Sequence, residues 1–121
     1  MKRILFIEDE RTLQKTFKDL LEKESFEMIS AFDGKEGLSL IKTEKPDLIL
    51  LDLILPGVDG FEVLKRIKVD EEIKEIPIII LTNLEDMADI NRALELGATT
   101  YLVKANYSPK EVLEKIKKAL K

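Results

Sequence analysis

PDLILLDLILPGVDGFEVL, residues Pro46 to Leu64, is the stretch that decides the fold. Leu48 to Leu51 form an unbroken apolar run that ends in a carboxylate, Asp52. A second short apolar piece follows, and then Pro56-Gly57-Val58-Asp59-Gly60, a turn signal. A short run that is apolar at every position suits a parallel strand covered on both faces. At the tip of such a strand a charge meets its largest desolvation cost. Either Asp52 is an accident of a strand end or it does chemistry.

Working outward, similar runs occur at Ile4–Ile7, Ile78–Leu81 and Tyr101–Val103, with a more alternating Phe26–Ala31. Charged segments of helical period lie between them. Leu13, Phe17, Leu20 and Leu21 make one stripe, and Val112, Leu113, Ile116 and Leu120 another. Phe61, Leu64 and Ile67, then Ile90, Ala93 and Leu94, and a shorter pair, Leu38 and Ile41, complete the set. Ser108-Pro109-Lys110-Glu111 reads as N-cap, first-position proline and capping-box glutamate, and Asp33-Gly34-Lys35-Glu36 as a second box. Gly97 suits a helix stop, and Pro46 and Pro77 fall just before strands. The expected architecture is α/β: a doubly wound (βα)5 domain with a parallel five-stranded sheet in the order 2-1-3-4-5 and helices on both faces. No linker or repeat interrupts it, so residues 1–121 are expected to form one domain.

Composition narrows the chemistry. A chain with 45% hydrophobic and 36% charged residues can bury a core, and a net charge of −4 provides no basic field for nucleic acid or anionic lipid. The lysines near the end (Lys110, Lys115, Lys117, Lys118, Lys121) are interrupted by Glu111 and Glu114, as on a solvated helix face. Cysteine is absent, which excludes disulfides and thiolate metal sites and fits a reducing, cytoplasmic setting. "MKRILFIEDE" runs from a short apolar piece into acids, so neither a leader nor a membrane segment is expected. Histidine is absent too, so no histidine-based triad, zinc site or phosphocarrier can be built.

In doubly wound sheets ligands bind beyond the carboxyl ends of the strands, at the point where strand order reverses. Here that point lies between strands one and three. Glu8, Asp9 and Glu10 follow strand one, Asp52 follows strand three, Thr82 and Asn83 follow strand four, and Lys104 ends strand five. Glu8, Asp9 and Asp52 therefore converge. Clustered carboxylates repel, and hard oxygen ligands without His or Cys select Mg²⁺, or Mn²⁺. A metal, the Lys104 ammonium and the Thr82 hydroxyl around one carboxylate suit a phosphoryl group, with Asp52 as the nucleophile that forms an acyl phosphate. Each residue alone has an ordinary structural reading; the joint pattern does not.

In order and spacing, Glu8-Asp9, the Asp52-Leu-Ile-Leu-Pro-Gly-Val-Asp-Gly stretch, Thr82, and Tyr101 three before Lys104 resemble the receiver domain of two-component response regulators, over essentially the whole chain. The resemblance implies that Asp52 accepts phosphate from a phosphohistidine on a sensor kinase. It implies that Asp9, Asp52 and the Ile54 carbonyl bind Mg²⁺ directly and Glu8 through water. Lys104 would pair with the phosphoryl oxygen, and Thr82 and Tyr101 would form a switch acting on the face of helix four, strand five and helix five, where a protein target or a second copy docks. Two departures stand out. The family usually has proline after the lysine, often in a cis bond, where this chain has Ala105. A lysine reaching the acids in the family manner is expected to need a cis Lys104–Ala105 bond, at roughly 2.5–4 kcal/mol. Asn83 replaces a usually small residue and could crowd the phosphoryl site or bond to it.

Three rivals share the fold. An FMN carrier needs a Ser/Thr/Gly-rich phosphate loop after strand one, where "EDER" would repel phosphate. A dinucleotide-binding enzyme needs G-x-G-x-x-G, which is missing. A Mg²⁺-dependent phosphohydrolase would want an acid or base two residues past the nucleophile, where Ile54 stands. The reading is therefore a phosphoacceptor signalling domain, either stand-alone or part of a longer protein.

Overall fold

The computed structural model describes residues 1–121. Five strands, β1 (Arg3–Ile7), β2 (Glu27–Ala31), β3 (Leu48–Leu51), β4 (Ile78–Thr82) and β5 (Thr100–Val103), alternate with five helices. The helices are α1 (Arg11–Lys23), α2 (Gly34–Glu44), α3 (Gly60–Lys68), α4 (Met87–Glu95) and α5 (Pro109–Ala119). All strands are parallel in one sheet of order β2-β1-β3-β4-β5. This is the expected doubly wound fold.

Period-two alternation divides the core in two. Leu5, Ile7, Ile49, Leu51, Ile78 and Ile80 point to one face, under α2, α3 and α4. Ile4, Phe6, Leu48, Leu50, Ile79 and Leu81 point to the other, under α1 and α5, where Phe6 meets Phe17 edge to face. Helices on both faces explain why β3 and β4 are buried at every position.

Helix ends follow local chemistry. The Ser108–Glu111 box closes in both directions with Pro109 in the first turn. At α2, Asp33 accepts from the Glu36 N–H, but the Glu36 carboxylate reaches back to the N–H of Phe32, one residue earlier than the simple box. Asp59 caps α3 through the Glu62 N–H, a cap hidden in what the sequence presents as a turn. Gly97 stops α4 with φ at +107°, while its own N–H bonds Leu94 O and that of Ala98 bonds Ala93 O. The α4 stripe is only partly covered: Ala93 is buried, but Ile90 is half-buried and Leu94 is 44% exposed. No helix is long and apolar enough to cross a membrane.

Candidate functional site

Strand register brings the acids together. Ile7 pairs with Leu51, and the Asp52 N–H donates to Ile7 O at 3.0 Å, so Glu8 and Asp52 stand side by side just past the sheet. Both are buried, at 1% and 3% exposure, whereas Asp9 turns outward to solvent. Acidic oxygens of Glu8, Asp9 and Asp52 lie within 4.8 Å of one another. The close approach of α3 that shapes this corner requires Gly60, because a Cβ there would collide with Leu53 Cα and the Asp52 carbonyl.

Each Asp52 oxygen is held. Oδ1 accepts from the Ile54 N–H at 3.1 Å and Oδ2 from Lys104 Nζ at 2.8 Å. Lys104 Nζ also lies 2.5 Å from Glu8 Oε1, and Glu8 Oε2 accepts from the Glu10 N–H at 3.1 Å. Burial pushes the Glu8 carboxyl up to about 7, against the pull of Lys104 and the Glu10 N–H and with a further push from the Asp52 charge. Burial also works against the Lys104 charge, but Asp52 and Glu8 outweigh it and hold the ammonium above its usual range.

Three carboxylates against one ammonium leave this corner with surplus negative charge. Its donors are all hard oxygens, and Glu8 Oε1 has an ion-pair neighbour but no aligned hydrogen bond. That donor set fits a small divalent cation.

The expected cis bond is a correction. The chain contains no cis peptide, yet Lys104 still bonds Asp52. β5 stops at Val103 and Lys104 opens a 3-10 turn, Lys104–Asn106, from which its ammonium meets Asp52 Oδ2 and Glu8 Oε1. Ala105 thus delivers the ammonium without the cost of a cis non-proline bond. Asn83 is exposed and makes no hydrogen bond to Asp52 or Lys104.

Thr82 is fully buried at the end of β4, and its Oγ1 accepts a long 3.5 Å bond from the Leu84 N–H. Tyr101 is half-buried on β5, and its hydroxyl donates to Leu84 O at 2.7 Å. The two side chains are therefore tied to the same loop residue, Leu84, which sequence reading did not single out. Burial pushes the Tyr101 phenol up to about 12, with the charges of Asp89 and Asp52 adding to the effect. Sequence reading also missed Gln14, a buried amide beneath the acid pair. Its signal was present: stepping back three residues along the Phe17–Leu21 face lands on Gln14.

Comparison with known proteins agrees with this geometry. The chain matches the response regulator receiver domain family over residues 4–117. It is 39% identical over 120 residues to the alkaline phosphatase synthesis transcriptional regulatory protein PhoP of Bacillus subtilis, covering 99% of this chain and 49% of that protein. The chain spans about half the length of the curated relatives it matches. Among solved structures, a CheY-like response regulator receiver domain protein from Methanospirillum hungatei superposes with a TM-score of 0.92 at 32% identity, covering 99% of this chain and 94% of that one. The Mn²⁺-bound form of response regulator Rcp1 superposes with a TM-score of 0.81 at 31% identity, covering 99% and 89%. With the match spanning nearly every residue and the acidic corner at the expected strand ends, the chain belongs to the response regulator receiver domains, the phosphorylation-driven signalling modules of two-component systems.

Proposed function

We propose that Asp52 is the phosphoacceptor and that phosphate reaches it from a phosphohistidine of a sensor kinase or phosphotransfer protein. The observation that carries this is the setting of Asp52: buried at a strand tip, with Oδ2 2.8 Å from the Lys104 ammonium and two further carboxylates within 4.8 Å. In the transfer, an Asp52 oxygen forms a bond to phosphorus as the phosphorus–nitrogen bond breaks, and the electron pair leaves with the partner's imidazole. Lys104 exchanges its pairing with Asp52 for pairing with a phosphoryl oxygen, and the Thr82 hydroxyl donates to another. Asp9, Asp52 and the Ile54 carbonyl would hold Mg²⁺ or Mn²⁺, with Glu8 acting through water. When bound, the ion supplies charge neutralisation for the acids and the phosphoryl oxygens. The Mn²⁺-bound Rcp1 structure supports that assignment by analogy.

The domain acts stoichiometrically, as a signal carrier rather than a turnover catalyst. Its output passes through the α4–β5–α5 face, where the exposed Met87 and Leu94 and the half-buried Tyr101 lie. The target there is a protein or a second copy of the chain, and the setting is cytoplasmic.

The test is intact mass after incubation with Mg²⁺ and a small acyl-phosphate or phosphoramidate donor. One phosphoryl group should be gained by wild type and none by Asp52→Asn. Equal labelling of both would overturn the assignment, and steady turnover of a generic phosphomonoester would favour a hydrolase.

A further inference from the structure

Beneath the acid pair, β1 and β2 end level, Ile7 opposite Ala31, and Glu8 is the first residue past the paired strands. β2 ends at Ala31 and the chain leaves to cap α2, so the Glu8 carbonyl has no ladder partner on that side. The gap is filled from α1. Gln14, 3% exposed, sends its Nε2 to Glu8 O at 3.0 Å, to Phe6 O at 2.9 Å and to Ala31 O at 3.0 Å. Ala31 O also accepts the Glu8 N–H at 2.9 Å. Glu8 O receives no backbone hydrogen bond, so the Gln14 amide is its sole partner.

Three carbonyls converge on one amide nitrogen that carries two hydrogens. The opposite orientation would aim an oxygen at three oxygens, so the polarity of the amide is dictated by its surroundings. The other end, Oε1, is buried without a partner, an arrangement that costs free energy on its own. A glutamine that leaves one end orphaned to anchor three carbonyls at the other is placed for the anchoring.

We infer that Gln14 is a positioning residue: it supplies the partner that the Glu8 carbonyl lacks just past the end of β1 and fixes the backbone on which Glu8 and Asp9 stand. Gln14 touches no reacting atom. It acts through the Glu8 carbonyl, holding the two acids in register with Asp52 before any ion or phosphate arrives. In its metal-affinity consequence the inference rests on reading Glu8 and Asp9 as metal-binding residues; in its backbone consequence it stands alone.

The variant to test is Gln14→Met, which keeps the shape and removes both donors. Gln14→Asn, which withdraws the amide by one methylene, is the second variant if the first does not fold. Ile116→Val, a core change on the α5 side, is the control for general destabilisation. In metal-free protein, hydrogen exchange at the Glu8 and Glu10 amides should accelerate about tenfold in the Gln14 variants, roughly the weight of one lost hydrogen bond, while the β4 amides change no more than in Ile116→Val. Mg²⁺ affinity measured by calorimetry should fall about tenfold, as for loss of a group that orients metal ligands, and remain unchanged in Ile116→Val. Uniform acceleration across the sheet would overturn the inference, as would a Gln14 variant that binds Mg²⁺ as tightly as wild type. Wild type that took up no Mg²⁺ would instead overturn the metal reading, and the exchange contrast would still decide the role of Gln14.

Discussion

At the scale of single residues, the acidic corner gathers like charge that a bound cation would neutralise. Glu8, Asp9 and Asp52 share one site with Lys104 as their only countercharge, and like charges held together oppose folding. Mg²⁺ at ten times its Kd should stabilise wild type by about 1.4 kcal/mol through mass action. In Asp9→Ala the repulsion is relieved, so the metal-free melting temperature should rise while the Mg²⁺ response disappears. A melting series with and without Mg²⁺ checks both, and an undiminished metal response in Asp9→Ala would refute its role as a ligand. Tyr101 makes a second residue-scale prediction. Its folded phenol is pushed up to about 12 from an ordinary value of 10.0, so between those values the folded state binds more protons than the unfolded state. The contribution of this hydroxyl is complete below pH 10 and is lost as pH rises towards 12. Denaturant titrations should show the stability difference between wild type and Tyr101→Phe falling across that window. The polar residues that meet in this corner were legible in the sequence because the acids, Thr82 and Lys104 stand out after apolar runs. Leu84 was not, because it acts through backbone alone, and for Gln14 the helix stripe signalled burial but not the carbonyls its amide would meet.

At the scale of elements, caps and strand ends set where the site residues fall. Ser25 ends α1 in the left-handed region, with φ at +66°, and the Phe26 N–H closes the turn onto Leu21 O at 3.0 Å. A side chain there bears a strain that glycine lacks, so Ser25→Gly should stabilise the domain by up to about 1 kcal/mol, read as a shift in denaturant midpoint with unchanged slope. Strand positions were recovered to within about a residue because continuous apolar runs have hard edges where charges begin. The α4 stripe was less legible. Ile90, Ala93 and Leu94 promised a covered face, but α4 is short and sits over the sheet edge, so only Ala93 is fully buried. The trans Lys104–Ala105 bond was also beyond reach of pattern, since neither periodicity nor motif spacing reports the isomer of a single peptide bond.

At the scale of the whole molecule, the proposed switch would join a buried charge event at Asp52 to the exposed α4–β5–α5 face. Thr82 and Tyr101 both reach Leu84, one to its N–H and one to its carbonyl, so the β4–α4 loop lies between the phosphoryl site and the α4–β5–α5 face. Phosphate on Asp52 would add charge and acceptor oxygens to which the Thr82 hydroxyl can donate, while its oxygen now accepts only a long 3.5 Å bond from the Leu84 N–H. On the proposed switch, a Thr82 side chain drawn to the phosphate would leave the Leu84 N–H, and Tyr101 would turn further inward to fill the space behind Thr82. A two-state element of this kind would convert local electrostatics into a surface change. The coupling expected of it is of the order of 1–3 kcal/mol, or about 5- to 150-fold in affinity. The measurement is self-association, or binding of the cognate target, by wild type, Thr82→Ala and Tyr101→Ala, each with and without phosphorylation. Wild type should gain affinity on phosphorylation, Thr82→Ala should lose most of that gain, and Tyr101→Ala should keep its phosphorylation yet gain less. Equal gains in all three proteins would show that the signal leaves Asp52 by another route and would remove both residues from the switch.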